Sequence, residues 1–253
     1  KIQRMRKLGG MISDELLISK DQVELSASIC KVDLISDLVG EFPELQGIMG
    51  GYFAEAQGFD KEIALAISEH YLPTGIDSKT PKKPFSIALA LTDKVDTLVG
   101  FFGIYQKPTS SKDPYALRRS ALGIIKLLID NNKEFKIKDL ISYSTSLHKD
   151  QGFELLNQEL LGELSDFLME RLKYYMKEKE IRTDIAEASI NAHGINHMNK
   201  IYKKASTLND LIHGPIGTDI VASYKRAASI LDSELKNNDY ELSNTTDPGI
   251  FKN

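Results

Sequence analysis

No run in this 253-residue chain alternates apolar and polar residues at a period of two, whereas almost every segment repeats its apolar residues at helical spacing. That contrast excludes a half-buried sheet and predicts an all-α fold. Residues 21–39 place Val23, Leu25, Ile29, Val32, Ile35, Leu38 and Val39 mostly on one stripe, so one helix is expected there. Pro43 fits the start of a second helix, which runs through Leu45, Ile48, Met49, Tyr52 and Phe53 to a stop at Gly58. Asp60 reads as the N-cap of a third helix, Lys61 to Tyr71, ended by Pro73 and Gly75. Residues 74–84 are a loop rich in Pro, Gly, Ser and Lys.

The stretch Phe85–Phe102 is apolar almost all round, which predicts a helix packed on several sides at the centre of its domain. After a loop over 106–114, Asp113 as cap and Pro114 at the first helical position predict a helix over Tyr115–Asn131. A polar connection follows, and the expected division is a helical domain over 1–132 and a helical body and tail over 133–253. The second part is expected to hold a very long helix, Gln151 to Lys179, with Leu155 and Leu156 in its stripe. Shorter helices follow near Asp184–Asn191, Ile195–Leu211 and Thr218–Leu235, before a loose Asn-rich tail, Lys236–Asn253.

Composition removes several functions. No apolar run approaches the roughly 20 residues of a membrane span. The lone Cys30 excludes a disulfide framework and a Cys-rich zinc site. With no Met at position 1 and no leader pattern, the chain reads as an excised piece of a larger, reduced, cytoplasmic protein. Its 32 basic and 36 acidic residues give a net charge of −4, unlike a generic nucleic-acid coat, so RNA contact needs a local basic face and DNA is not an expected partner. There is no Walker loop, dinucleotide fingerprint, HExxH or GxSxG. Gly47, Gly50 and Gly51 lack a following Lys-Ser or Lys-Thr and read as close helix packing. The sequon at Asn244 means nothing in a cytoplasmic protein.

Two features carry possible chemistry. His193 and His197, four apart, could offer two imidazoles to a metal, but Gly194 weakens the helix and no third ligand is near, so a turn with exposed imidazoles is expected. Asp93 and Asp96 lie inside the apolar helix, where a carboxylate must be paired, metal-bound or turned to a cleft. This stretch resembles the final metal-binding helix of the HD phosphohydrolase superfamily, whose last ligand is an aspartate. That resemblance implies an isolated His and a His-Asp pair as further ligands. The first domain has only His70, followed by Tyr71, so the resemblance implies an HD-like scaffold without metal or metal chemistry. The competing reading is a metal-dependent phosphohydrolase using Asp93 and His70.

Longer blocks extend the resemblance. Gly40-Glu41-Phe42-Pro43-Glu44-Leu45-Gln46-Gly47, Asp93-Lys94-Val95-Asp96-Thr97-Leu98 and Ser111-Lys112-Asp113-Pro114-Tyr115-Ala116-Leu117-Arg118-Arg119 resemble the β subunit of bacterial heterotetrameric glycyl-tRNA synthetase. Lys31-Val32-Asp33-Leu34 and Glu69-His70-Tyr71-Leu72-Pro73 agree in the same order, and Ser223-Tyr224-Lys225-Arg226-Ala227 resembles the stretch before that family's anticodon-binding region. The resemblance implies a tRNA-recognition fragment without catalytic residues. In this family glycine is attached by an α subunit, with ATP and Mg²⁺, in an α2β2 assembly acting on tRNA-Gly, and no cofactor is expected in this chain. Glu44, Gln46, Asp93, Asp96 and Asp113 are then structural motif residues. Lys112, Arg118 and Arg119 are candidate RNA contacts, and Lys200, Lys203, Lys204, Lys225 and Arg226 form a second candidate face. Alternatively, Arg118 and Arg119 pair with Asp93, Asp96 or Asp113 to lock the fold, and the second face is merely solvated. A third reading makes the fragment an assembly surface for other subunits.

Overall fold

A computed structural model describes residues 1–153 and 157–237. Among these residues there are twelve α-helices, three short 3-10 segments and no strand, the all-α architecture expected. The chain divides into two compact units, Lys1–Ala205 and a second from Ser206 onward.

The first unit is built around one helix, α6 (Pro84–Gly103). Its side chains are apolar on nearly every face, and Ile87, Leu89, Leu91, Leu98 and Val99 are at most 2% exposed. Such a helix needs neighbours on all sides. They are α1 (Ile2–Leu16), α2 (Lys20–Ile29), α5 (Lys61–Glu69), α7 (Leu117–Asp130), α8 (Ile137–Asp150) and α9 (Leu160–Glu178). Helix α1 buries Met5, Leu8, Ile12 and Leu16, a stripe at helical spacing that faces α2 and α6. Ser19 caps α2 by accepting the Gln22 N–H, and Asp60 caps α5 by accepting the Glu62 N–H at 2.7 Å.

Between α2 and α5 the expected long helices are broken. Instead of one helix over 21–39, α2 ends at Ile29, a 3-10 turn covers Val32–Ile35 and α3 covers Asp37–Glu41. The cause is Asp33, which turns inward so that its carboxylate accepts the Gly47 N–H at 2.6 Å, while Ser36 caps α3. Much of the anticipated stripe therefore faces solvent, Ile35 at 86% exposure. Pro43 opens a 3-10 turn, Pro43–Leu45, and Gly47 at φ +78° leads into a separate α4, Ile48–Ala56. The glycines do serve close packing: a Cβ on Gly50 would meet the Ile67 side chain at 2.9 Å, and one on Gly51 the Ala64 carbonyl at 2.9 Å.

The division expected at 132–133 falls inside the first unit. Helices α8 and α9 bury Ile137, Leu140, Leu164, Leu168 and Leu172 and lie against α6, with α8 also on α1 and α9 on α7. The long helix expected from Gln151 starts only at Leu160, because Gly152 at φ +77° follows the end of α8 and the Asn157 side chain accepts the Glu159 N–H. Leu155 and Leu156 lie outside the described residues, as do the expected loose tail beyond 237 and Asn244. Helices α10 (Thr183–Asn191), α11 (Met198–His213) and α12 (Pro215–Asn237) fall where periodicity placed helices. Among the described residues no helix is long and apolar enough to cross a membrane.

Candidate functional site

Two carboxylates interrupt α6 one turn apart. Asp96, 2% exposed, receives the Arg4 guanidinium through Nε at 2.6 Å and a second nitrogen at 3.2 Å. The remaining Arg4 nitrogen donates to the Gln151 side chain at 2.7 Å, and Phe153 lies against the guanidinium. His148 Nε2 stands 3.8 Å from the same carboxylate, in the space left by Gly100.

Asp93 faces a cleft of about 440 Å³ bounded by α6, the start of α7 and residues near Tyr71. Its carboxylate is paired with Lys1 Nζ at 2.9 Å and Lys31 Nζ at 3.2 Å. Burial by itself would push this carboxyl up, but the Lys1 and Lys31 cations outweigh it and hold the group well below the usual carboxylate range. Lys1 also donates to Thr97 Oγ1 at 2.6 Å, and Lys31 lies 3.8 Å from the centre of the Tyr71 ring. The next residue, Lys94, is 5% exposed and donates to the Tyr71 and Leu72 carbonyls at 3.0 and 2.9 Å. Burial lowers its ammonium to about 8. Gly123 makes room for it, since a Cβ there would overlap the Lys94 side chain.

His70 is buried beside this cluster. Its Nδ1 bonds the Ile67 carbonyl, and Nε2 has no hydrogen-bond partner among the described residues. Burial, reinforced by the Lys31 cation, lowers the imidazole to about 3, so it is neutral. These residues do not fit a divalent cation: two ammonium groups occupy the reach of Asp93, and a cation there would meet their positive charge. The same holds at α10–α11, where His193 and His197 have ring centres 6.2 Å apart in a turn and a 3-10 segment with Lys200 and Lys204 beside His193.

In the alternative reading Arg118 and Arg119 pair with Asp93, Asp96 or Asp113, and among the described residues neither side chain forms such an ion pair. The Arg118 side chain donates to the Thr109 carbonyl, and its backbone N–H joins that of Leu117 on the Asp113 carboxylate, at 3.0 and 2.8 Å. Asp113 thus serves the start of α7 as expected, but from outside it: the helix begins at Leu117, after Ala116 at φ 55°, rather than at Pro114. Arg119 is exposed, lines the Asp93 cleft and has no ion-pair partner among the described residues. Gln46 lines the same cleft, Glu44 is exposed on its 3-10 turn, and Lys112 is exposed in the loop before α7.

The second candidate basic face divides between the two units. In the first, the Lys200 backbone N–H donates to Glu134, Lys203 donates to the Asn132 side chain, and Lys204 is exposed. In the second, Lys225 and Arg226 are exposed on α12. Sequence reasoning missed Lys1, Arg4, Lys31 and Lys94. The signal that could have found Arg4 is the buried stripe of α1, which carries it on the same face.

A family model described as glycyl-tRNA synthetase beta subunit matches residues 1–191. Similar curated proteins are the glycine–tRNA ligase beta subunits of Ruegeria sp. (strain TM1040), 37% identical over 243 residues, and of Rhodospirillum centenum, 38% identical over 216. The first alignment covers 96% of this chain and 34% of the relative, the second 85% and 30%. The corresponding subunit of Rickettsia canadensis is 38% identical over 235 residues, 92% of this chain and 33% of its own length. All of these are subunits of aminoacyl-tRNA synthetases. The chain belongs to the glycyl-tRNA synthetase beta subunit family, and it spans about a third of the length of the curated relatives it matches.

Proposed function

We propose that this chain is the HD-like helical portion of the tRNA-recognition subunit of glycine–tRNA ligase, and that it carries no catalytic residue of its own. Glycine attachment then belongs to an α subunit using ATP and Mg²⁺, within a cytoplasmic α2β2 assembly acting on tRNA-Gly. The observation that carries the reading is the family match over residues 1–191. The neighbourhood of Asp93 supports the non-catalytic part: ammonium groups stand where a hydrolase would need metal ligands. Lys112 in the loop before α7, Arg118 and Arg119 on α7, the Lys200–Lys204 group on α11, and Lys225 with Arg226 on α12 are the proposed phosphate contacts.

The test is a filter-binding series of the intact polypeptide with tRNA-Gly at rising salt. Binding should fall steeply with salt, because each released phosphate counterion contributes to the slope. Aminoacylation should appear only when an α subunit is added. Indifference to tRNA at low salt would refute the reading.

A further inference from the structure

We infer that the Asp93 cleft is a binding site for a phosphate-bearing nucleotide, held by ammonium and guanidinium groups without a metal ion. Four cations line it, Lys1, Lys31, Lys94 and Arg119, against a single carboxylate, Asp93; four minus one leaves a surplus of three positive charges. The whole chain carries −4, so this concentration runs against the global field. Gathering like charges in a partly buried cleft is costly unless an anion offsets them. Among the described residues lining the cleft, Asp93 is the one acid, and it is shared between Lys1 and Lys31. Lys94 is satisfied only by two carbonyls, and Arg119 has no ion pair among the described residues.

The rest of the lining narrows the ligand. Thr74 and Ser120 also line the cleft; their hydroxyl protons go to Ser78 and to the Ala116 carbonyl, which leaves their oxygens free to accept from sugar hydroxyls. Tyr115 lines the cleft with its ring stacked on Phe101, centres 4.0 Å apart and planes at 20°, and it is 43% exposed. A braced aromatic face next to clustered cations is the combination that holds a base and its phosphate together. The cleft volume, about 440 Å³, falls within the usual range of small-ligand sites. The phosphate can belong to a free mononucleotide or to a nucleotide of an RNA strand. The strand arm rests on the tRNA reading, since Arg119 is among the phosphate contacts proposed above, whereas the mononucleotide arm does not need it.

Calorimetry on the intact polypeptide tests it, with AMP, inorganic phosphate, adenosine and a 5′-phosphorylated trinucleotide as probes at about 50 mM salt. AMP should bind, phosphate should compete, EDTA should change nothing, and adenosine should bind at least about tenfold more weakly. Arg119→Gln should weaken AMP about tenfold, without loss of fold because Arg119 is exposed and has no ion pair among the described residues, while Lys177→Gln on α9 should not. A trinucleotide tighter than AMP assigns the site to a strand, and the reverse assigns it to a free nucleotide. No AMP binding, equal binding of adenosine, loss on adding EDTA, or an unchanged Arg119→Gln affinity would each overturn the inference. In every such case tRNA retention in the filter assay would still decide the proposed function by itself.

Discussion

Asp93 and Asp96 share one helix, lie one turn apart and are both nearly buried, yet their surroundings differ in kind. Asp96 meets a guanidinium fork, with two nitrogens on its carboxylate and the third held by Gln151. Such a pairing saturates both partners and fixes their orientation. Asp93 meets two ammonium groups, compact charges on flexible stems, beside a cleft with further cations. Burial alone therefore does not tell a structural acid from a site acid. What separates them is whether the countercharges are used up. Around Asp96 they are, and around Asp93 a positive surplus is left over.

The largest expected effect comes from breaking the saturated pair. Arg4→Ala leaves Asp96 buried without its guanidinium, with the His148 ring 3.8 Å away, and removing one partner of such a pair costs about 3–5 kcal/mol. Urea unfolding of the intact polypeptide measures this as a lower midpoint, and Asp96→Leu added to Arg4→Ala should recover much of it. A loss within about 1 kcal/mol would make the pair no better than a surface contact and would undo the contrast.

The histidines extend the comparison, since one stands beside each acid. His148 is lowered by burial, opposed by its bond to the Ser144 carbonyl and by Asp96. His70 is lowered further, to about 3 from an ordinary 6.5. Below pH 6.5 the unfolded chain binds a proton at His70 that the folded chain refuses until about pH 3. Stability supplied by the neutral imidazole is thus complete above 6.5 and drains away as pH falls through that window, by about 3 kcal/mol at pH ~4.5. Urea midpoints across pH 4–7 read the slope, and His70→Asn, which keeps a donor for the Ile67 carbonyl, should flatten it. An unchanged slope would show that His70 is not the group responsible.

The sequence made the central helix readable because α6 is apolar all round, and it made the caps at Asp60 and Asp113 readable because capping is local. It also marked both acids as needing partners. It could not say which partners, because the guanidinium that saturates Asp96 sits 92 residues earlier, on a helix whose place against α6 is decided by packing. Arg118 and Arg119 were attractive for being near in sequence, but the short turn before α7 directs one to Thr109 and leaves the other on the cleft. The broken helix over 21–39 was hidden for a similar reason. Its apolar pattern is helical, and only the tertiary bond from Gly47 to Asp33 shows why the chain turns.

The smallest effect, and the sharpest use of the comparison, belongs to Asp93→Asn. The amide keeps an oxygen for Lys1 and Lys31, and the cations it no longer neutralises have a cleft in which water and counterions can approach them. The expected cost is about 1–2 kcal/mol, that of weakened charge-assisted hydrogen bonds rather than of a stranded buried ion. AMP binding should tighten in the same variant, because the one carboxylate among the residues lining the cleft is gone and the surplus rises from three to four. Stability and affinity then move in opposite directions, the signature of a residue placed for a site rather than for the fold. A destabilisation equal to that of Arg4→Ala, with AMP binding unchanged, would make the two acids equivalent and return Asp93 to the core.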